Sequence, residues 1–156
     1  MFLIDPLGQI AKTNDAKRKS DLEQLQRTLE TYYNDNGKYP PHSTSTNSSP
    51  CGSGYVYRIM PATGCIDWGL SWDAYKTILP KDPTSSTRTY VYFASADLQS
   101  YWLYANLEKT NDPQICSGLV NGECSSLSSN LMISKPCGPF QTKPCNYGVS
   151  SPNVSP

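Results

Sequence analysis

Only one histidine, His42, occurs among the 156 residues, and its Ser-, Thr- and Pro-rich surroundings supply no motif-level partners for a catalytic triad. Asp82, between Lys81 and Pro83, reads as a turn residue and not as a general base. No catalytic residue is therefore assigned and no enzymatic activity is expected. No Cys-x-x-Cys pair is present, which together with the lone histidine argues against a zinc site. Long apolar runs are also missing. Phe2, Leu3, Ile4, Leu7 and Ile10 are too few to span a bilayer, which needs about 20 apolar residues, and no basic leader precedes them. Thirteen basic and thirteen acidic residues cancel, so no global field draws the chain to nucleic acid or to an anionic membrane. Neither a metal, nor another cofactor, nor a nucleic-acid partner is expected.

What is present fits one exported domain. The length suffices for a core of its own. Charge is densest before Tyr39, whereas Thr110 to Pro156 is rich in Ser, Asn, Gly and Pro and carries only Asp112, Glu123, Lys135 and Lys143. Six cysteines, Cys51, Cys65, Cys116, Cys124, Cys137 and Cys145, sit among loop-forming residues. An even number in such a setting reads as a disulfide framework, with 15 connectivities open. The pairing expected is Cys51–Cys65, with the last four paired among themselves around a C-terminal loop, and such bonds persist in an oxidising compartment.

Residues 12 to 40 read as a charged amphipathic helix. Leu22, Leu25, Leu29 and Tyr32 follow a 3-4-3 spacing that places them on one face to be buried. Lys17, Arg18, Lys19, Glu23, Arg27 and Glu30 occupy the rest. Asn34, Asp35, Asn36 and Gly37 tolerate the left-handed conformation of a helix C-cap, and Pro40-Pro41 cannot continue the helix. His42 to Pro50 reads as an exposed loop, Tyr55 to Met60 as a short strand, and Trp68 to Leu79 as a short helix with its approach. Tyr90–Ala94 and Tyr101–Leu107, dense in aromatic and branched residues, are the strongest strands, and the six residues between them make the pair antiparallel. Laying the apolar stripe of the helix on one face of that sheet is the two-layer α+β solution. The chain divides into a helical stem (1–39), a loop and sheet region (40–109) and a Cys-rich irregular region (110–156). Tyr90, Tyr92, Phe93, Tyr101, Trp102 and Tyr104 pack the sheet faces, because no basic groove accompanies them to make a stacking platform.

The string from Arg18 to Pro40, with Ser20-Asp21-Leu22, Leu25, Leu29-Glu30, Tyr32-Tyr33 and Asp35-Asn36-Gly37, resembles the helix that follows the membrane-spanning part of bacterial type IV pilins and type II secretion pseudopilins. Trp72, Tyr75 and Leu79-Pro80-Lys81-Asp82-Pro83 resemble that family's W..Y...LPKDP turn. Tyr101, Leu103-Tyr104-Ala105 and Leu107-Glu108 resemble its YxLYAxLE strand. The resemblance spans roughly the first two thirds of the chain and implies the same α+β fold. It further implies a non-enzymatic filament subunit exposed outside the membrane, on the cell surface or in the periplasm, and polymerising head to tail with identical or related pilins. Inner-membrane assembly machinery would be its other partner, and its membrane anchor a hydrophobic helix that this sequence lacks. Asp5 and Pro6 resemble the point where that helix gives way to its soluble continuation. The chain is accordingly expected to be a fragment, or a reading frame opened at an internal methionine; the alternative is a complete soluble chain without the assembly element. Lys17, Arg18, Asp21 and Glu23 are the candidate subunit contacts, against the alternative of a solvated charged face. The calcium loop of major pseudopilins is not matched, since only the well-separated Asp112 and Glu123 offer carboxylates. A different class of function also stays open: a secreted or surface-tethered binding module that holds a glycan or protein through its aromatic sheet or Cys-rich loop.

Overall fold

A computed structural model describes residues 5–44, 51–52, 54–62 and 64–156. One long helix, α1 (Pro6–Asn36), leads the chain. It begins earlier than the apolar periodicity indicates, because Asp5 caps it by accepting the Gly8 N–H and Pro6 fits the first helical position. It ends where the sequence stops it: Gly37 takes the left-handed conformation at φ 70° and donates to Tyr33 O at 2.7 Å. At 1.5 Å per residue the 31 residues extend about 46 Å.

Two antiparallel sheets follow. The smaller pairs β1 (Ser71–Trp72) with β2 (Thr77–Ile78) around a 3₁₀ turn at Asp73–Tyr75. A short helix was expected here. The chain doubles back because Lys76 adopts a left-handed conformation and Trp72 turns inward to pack on Tyr32 and Tyr75, with ring centroids 5.6 and 4.9 Å away. The larger sheet orders β3 (Val91–Ala94), β4 (Tyr101–Ala105) and β5 (Tyr147–Ser150), all antiparallel. The expected strand at Tyr55–Met60 reduces to isolated bridges of Ile59 with His42 and Ile66, and Tyr57, at φ 60°, interrupts extended geometry.

Alternation along β3 and β4 sorts side chains to two buried faces. Tyr92, Ala94, Tyr101, Leu103 and Ala105 join Leu22, Leu25 and Leu29 of α1 in one cluster. Val91, Trp102 and Tyr104 join Cys124, Leu127, Cys137 and Cys145 in a second. The C-terminal region is therefore not irregular throughout. It contains a short helix, α2 (Ser125–Ser129), and β5, and it covers the sheet face opposite α1. Three layers replace the two expected, which explains why every residue of β4 is buried.

Three disulfides, Cys51–Cys65, Cys116–Cys124 and Cys137–Cys145, hold the loops, consistent with an oxidising, extracytoplasmic setting. No described helix is long and apolar enough to cross a membrane. Asn146 extends the β4–β5 ladder with its side chain, accepting from Leu107 N at 2.7 Å and donating to Leu107 O at 3.1 Å. The C-terminal tail is tied in as well: Trp102 Nε1 donates to Ser155 O at 2.8 Å and Ser151 N to Tyr101 O at 3.1 Å.

Candidate functional site

The four charged residues expected at a subunit contact part into two pairs. Arg18 is fully buried. Its guanidinium spends all five N–H groups inside the domain: Nε and Nη2 on the two oxygens of Asp82 at 2.9 and 3.0 Å, Nη2 also on Thr84 Oγ1 at 2.9 Å, and Nη1 on Asp15 and Glu108, both at 2.8 Å. Asp15 in turn accepts the N–H groups of Glu108 and Lys109 at 2.9 and 3.0 Å. Asp21 is buried too. It accepts from Tyr90 Oη at 2.5 Å and from Lys17 Nζ at 2.6 Å. Arg18 and Asp21 are thus corrected from contact residues to internal clamps that join α1 to the 82–84 turn, to β3 and to the chain after β4. Lys17 and Glu23 remain at the surface.

The electrostatics match that geometry. Burial alone would lower the Arg18 pKa, yet the bonds to Asp82, Glu108 and Asp15 raise it above the ordinary value. Burial alone would raise Glu108, but Arg18, Asn14 and Arg88 outweigh it and leave its carboxyl below the usual range. The Tyr90 hydroxyl is pushed up, first by burial and then by its bond to Asp21, so it stays a donor at any physiological pH.

The residues expected to hold helix to sheet do so in two ways. Leu22, Leu25 and Leu29 are buried against the larger sheet. Tyr32 lies a turn further on and packs instead against Trp72 and Tyr75 of the small hairpin. Toward its start α1 leaves the body: no side chain from Asp5 to Thr13 except the partly covered Gly8 and Ala11 is shielded, and Leu7 and Ile10 stand 77% and 57% exposed. Asp5 and Thr13 bond only within the helix, and contact with the body begins with Asn14 Nδ2 donating to Glu108 at 3.3 Å.

Among the described residues no group of three or more His, Cys, Asp or Glu is placed to hold a metal. Asp112 pairs with Lys19 at 2.7 Å, and Glu123 accepts the Lys135 N–H at 2.5 Å. His42 stacks on Phe93 at 4.3 Å while its Nδ1 accepts the Ala94 N–H at 3.1 Å, and burial lowers its pKa. The aromatic strand residues are packed into the two cores, with Tyr90, Tyr92, Tyr101 and Tyr104 fully buried, so they form no open stacking platform. Asn153, an N-x-S position, donates to Ser100 Oγ at 2.8 Å. The other such position, Asn47, lies outside the described residues.

A groove of about 630 Å³ opens between residues 54–58, residues 81–89 and the loop at 133–141. Its walls are joined. Tyr57 O accepts the Tyr92 N–H at 2.9 Å and Tyr57 Oη the Ile133 N–H at 3.1 Å, while Thr89 N donates to Cys137 O at 2.8 Å. Sequence reading missed this groove because its members lie on four separate segments, Asp67 and Trp68 forming the fourth; the one local sign is Phe140, an apolar residue inside the short Cys137–Cys145 loop. No protein-family model, curated protein or solved structure matches the chain.

Proposed function

We propose that this chain is the extracytoplasmic domain of a filament subunit of the type IV pilin or type II secretion pseudopilin kind, which works by polymerisation. The observation that carries the reading is the projecting start of α1, where Leu7 and Ile10 stay exposed although the same helix buries one face from Asp15 to Leu29. Apolar residues on a helix that its own domain leaves uncovered need another surface, and neighbouring subunit helices supply one in a filament. In this reading an apolar helix encoded upstream of Met1 anchors the subunit before inner-membrane machinery assembles it, and the globular body tiles the outside. Lys17 and Glu23 are the surface charges left for subunit contacts. The disulfides suit the oxidising side of the membrane.

The test begins with the reading frame upstream of Met1 in the source genome, where about 20 apolar codons after a short basic leader are expected. The gene with that upstream sequence is then expressed in the source cell, and filaments sheared from it are probed with antibody against this domain. Antibody decoration along the filaments, lost on Ile10→Asp while the isolated domain melts unchanged, fits the proposal. Recovery of the chain only as a free, unassembled protein overturns it.

A further inference from the structure

The groove between residues 54–58, 81–89 and 133–141 has a lining of charged, hydroxyl and apolar groups. Of its charged residues, Arg58, Lys81 and Arg88 are basic and Asp67 and Asp82 acidic. Both acids are already engaged: Asp67 accepts from Arg58 Nε and the Trp68 N–H, and Asp82 from Arg18 and Thr84. The bases are engaged as well: Arg58 pairs with Asp67, and Arg88 donates Nε to Asn106 at 2.8 Å with Glu108 3.9 Å away, so among the described residues the exposed Lys81 is the lining charge without an ion-pair partner and offers a place for one anionic group.

Beside the charges lie hydroxyl and amide groups from Tyr55, Ser85, Thr89 and Gln141, and at the rim stands Phe140, 97% exposed. Phe140 and Gln141 both hold left-handed backbone at φ 56° and 58°, and Tyr57 on the facing wall does so at 60°. Such conformations in bulky residues cost about 1–3 kcal/mol each. Phe140 recovers none of that through burial. The Cys137–Cys145 bond and the Thr89–Cys137 hydrogen bond nonetheless hold the loop in place, which leaves a flat apolar ring at a hydroxyl-lined groove that also carries Lys81. An extended peptide is the poorer fit, because the β3 edge it would pair with is already met by Tyr57. Single-stranded nucleic acid is poorer still, since two exposed rings, Phe140 and Tyr55, offer no series of stacking surfaces.

We propose that this groove binds an acidic saccharide. The C–H face of a sugar ring stacks on Phe140, the ring hydroxyls bond the neutral polar groups, and a uronic carboxylate pairs with Lys81. The walls are fixed before the ligand arrives, so little ordering cost is left for binding, and the volume lies within the usual range of ligand sites, about 300–1,000 Å³. This inference is independent of filament assembly and holds for the isolated domain.

Isothermal titration of the oxidised chain with oligogalacturonate, with a neutral malto-oligosaccharide of the same length and with oligoglutamate, tests it. Saturable binding of oligogalacturonate is expected, weakening as salt rises, with no binding of the neutral oligomer. Phe140→Ser and Lys81→Glu, both at exposed positions, should each weaken it about tenfold or more while the melting temperature stays within a few degrees of the parent. No binding of oligogalacturonate at millimolar concentration, equal binding of the neutral oligomer, tighter binding of oligoglutamate, or full binding by both variants would each overturn the proposal.

Discussion

Replacing Arg18 with methionine keeps the helix and most of the side-chain length but removes five hydrogen bonds to Asp82, Asp15, Glu108 and Thr84. The loss exceeds that of an ordinary surface ion pair, about 0–1 kcal/mol, because Asp15 and Asp82 are themselves buried and lose the cation they are paired with. Breaking a buried pair from one side costs about 3–5 kcal/mol, and for a domain of this size about 2–4 °C of melting temperature goes with each kcal/mol. A fall of about 6–20 °C is therefore expected, read by tryptophan fluorescence in thermal and urea unfolding with the disulfides kept oxidised. The loss should shrink in acid. The Glu108 pKa is lowered on folding, so its contribution is complete above the unfolded carboxylate value and disappears as pH falls through the lowered folded value. In Arg18→Met that contribution is largely absent at neutral pH, so the gap between parent and variant should narrow as pH falls through the lowered Glu108 value. A variant within 1 kcal/mol of the parent at pH 7, or an equal gap at pH 7 and pH 3, would refute this account of the clamp.

Leu25→Ala, at the centre of the α1 stripe, should cost about 2–5 kcal/mol in urea unfolding, whereas Ile10→Ser on the exposed stem should change stability by less than about 0.5 kcal/mol. Chain-entropy arithmetic gives about 2.5 kcal/mol for each of the two disulfides with a separation of 8 and about 3 for the separation of 14. Accessibility sets a different order, and mass spectrometry during mild reduction should show Cys51–Cys65, partly exposed, opening before the fully buried Cys137–Cys145. Gly148→Ala should lower the melting point and perturb the β4–β5 pairing in amide hydrogen exchange, since a Cβ there would stand 2.8 Å from the Tyr104 ring and 3.0 Å from the rigid Leu103 carbonyl.

The groove and the stem differ in how they can be reached experimentally. Exposure of Leu7 and Ile10 acquires meaning only in an assembly, because a lone domain offers them nothing to bury against. Phe140 can act in the monomer. Its neighbours in the groove are already fixed by the disulfide and by the bonds of Tyr57 and Thr89, so saccharide binding and filament formation succeed or fail separately.

Local sequence determined the features that depend on neighbours a few residues away. Leu22, Leu25 and Leu29 share a helix face through the 3.6-residue period, Gly37 ends that helix through its freedom at positive φ, and the short link between β3 and β4 permits only antiparallel pairing. Tertiary structure decided the rest. Arg18 looks like a surface charge until Asp82 and Glu108, 64 and 90 residues away, close around it, and no periodicity encodes that meeting. Four residues at Tyr147–Ser150 are too few to announce a strand; β4 makes them one by offering a ladder. The Cys-rich segment likewise reads as solvent-facing until Val91, Trp102 and Tyr104 present a second apolar face for it to cover. Periodicity records which side of an element must be buried, while the identity of what buries it depends on contacts that only the closed chain can make.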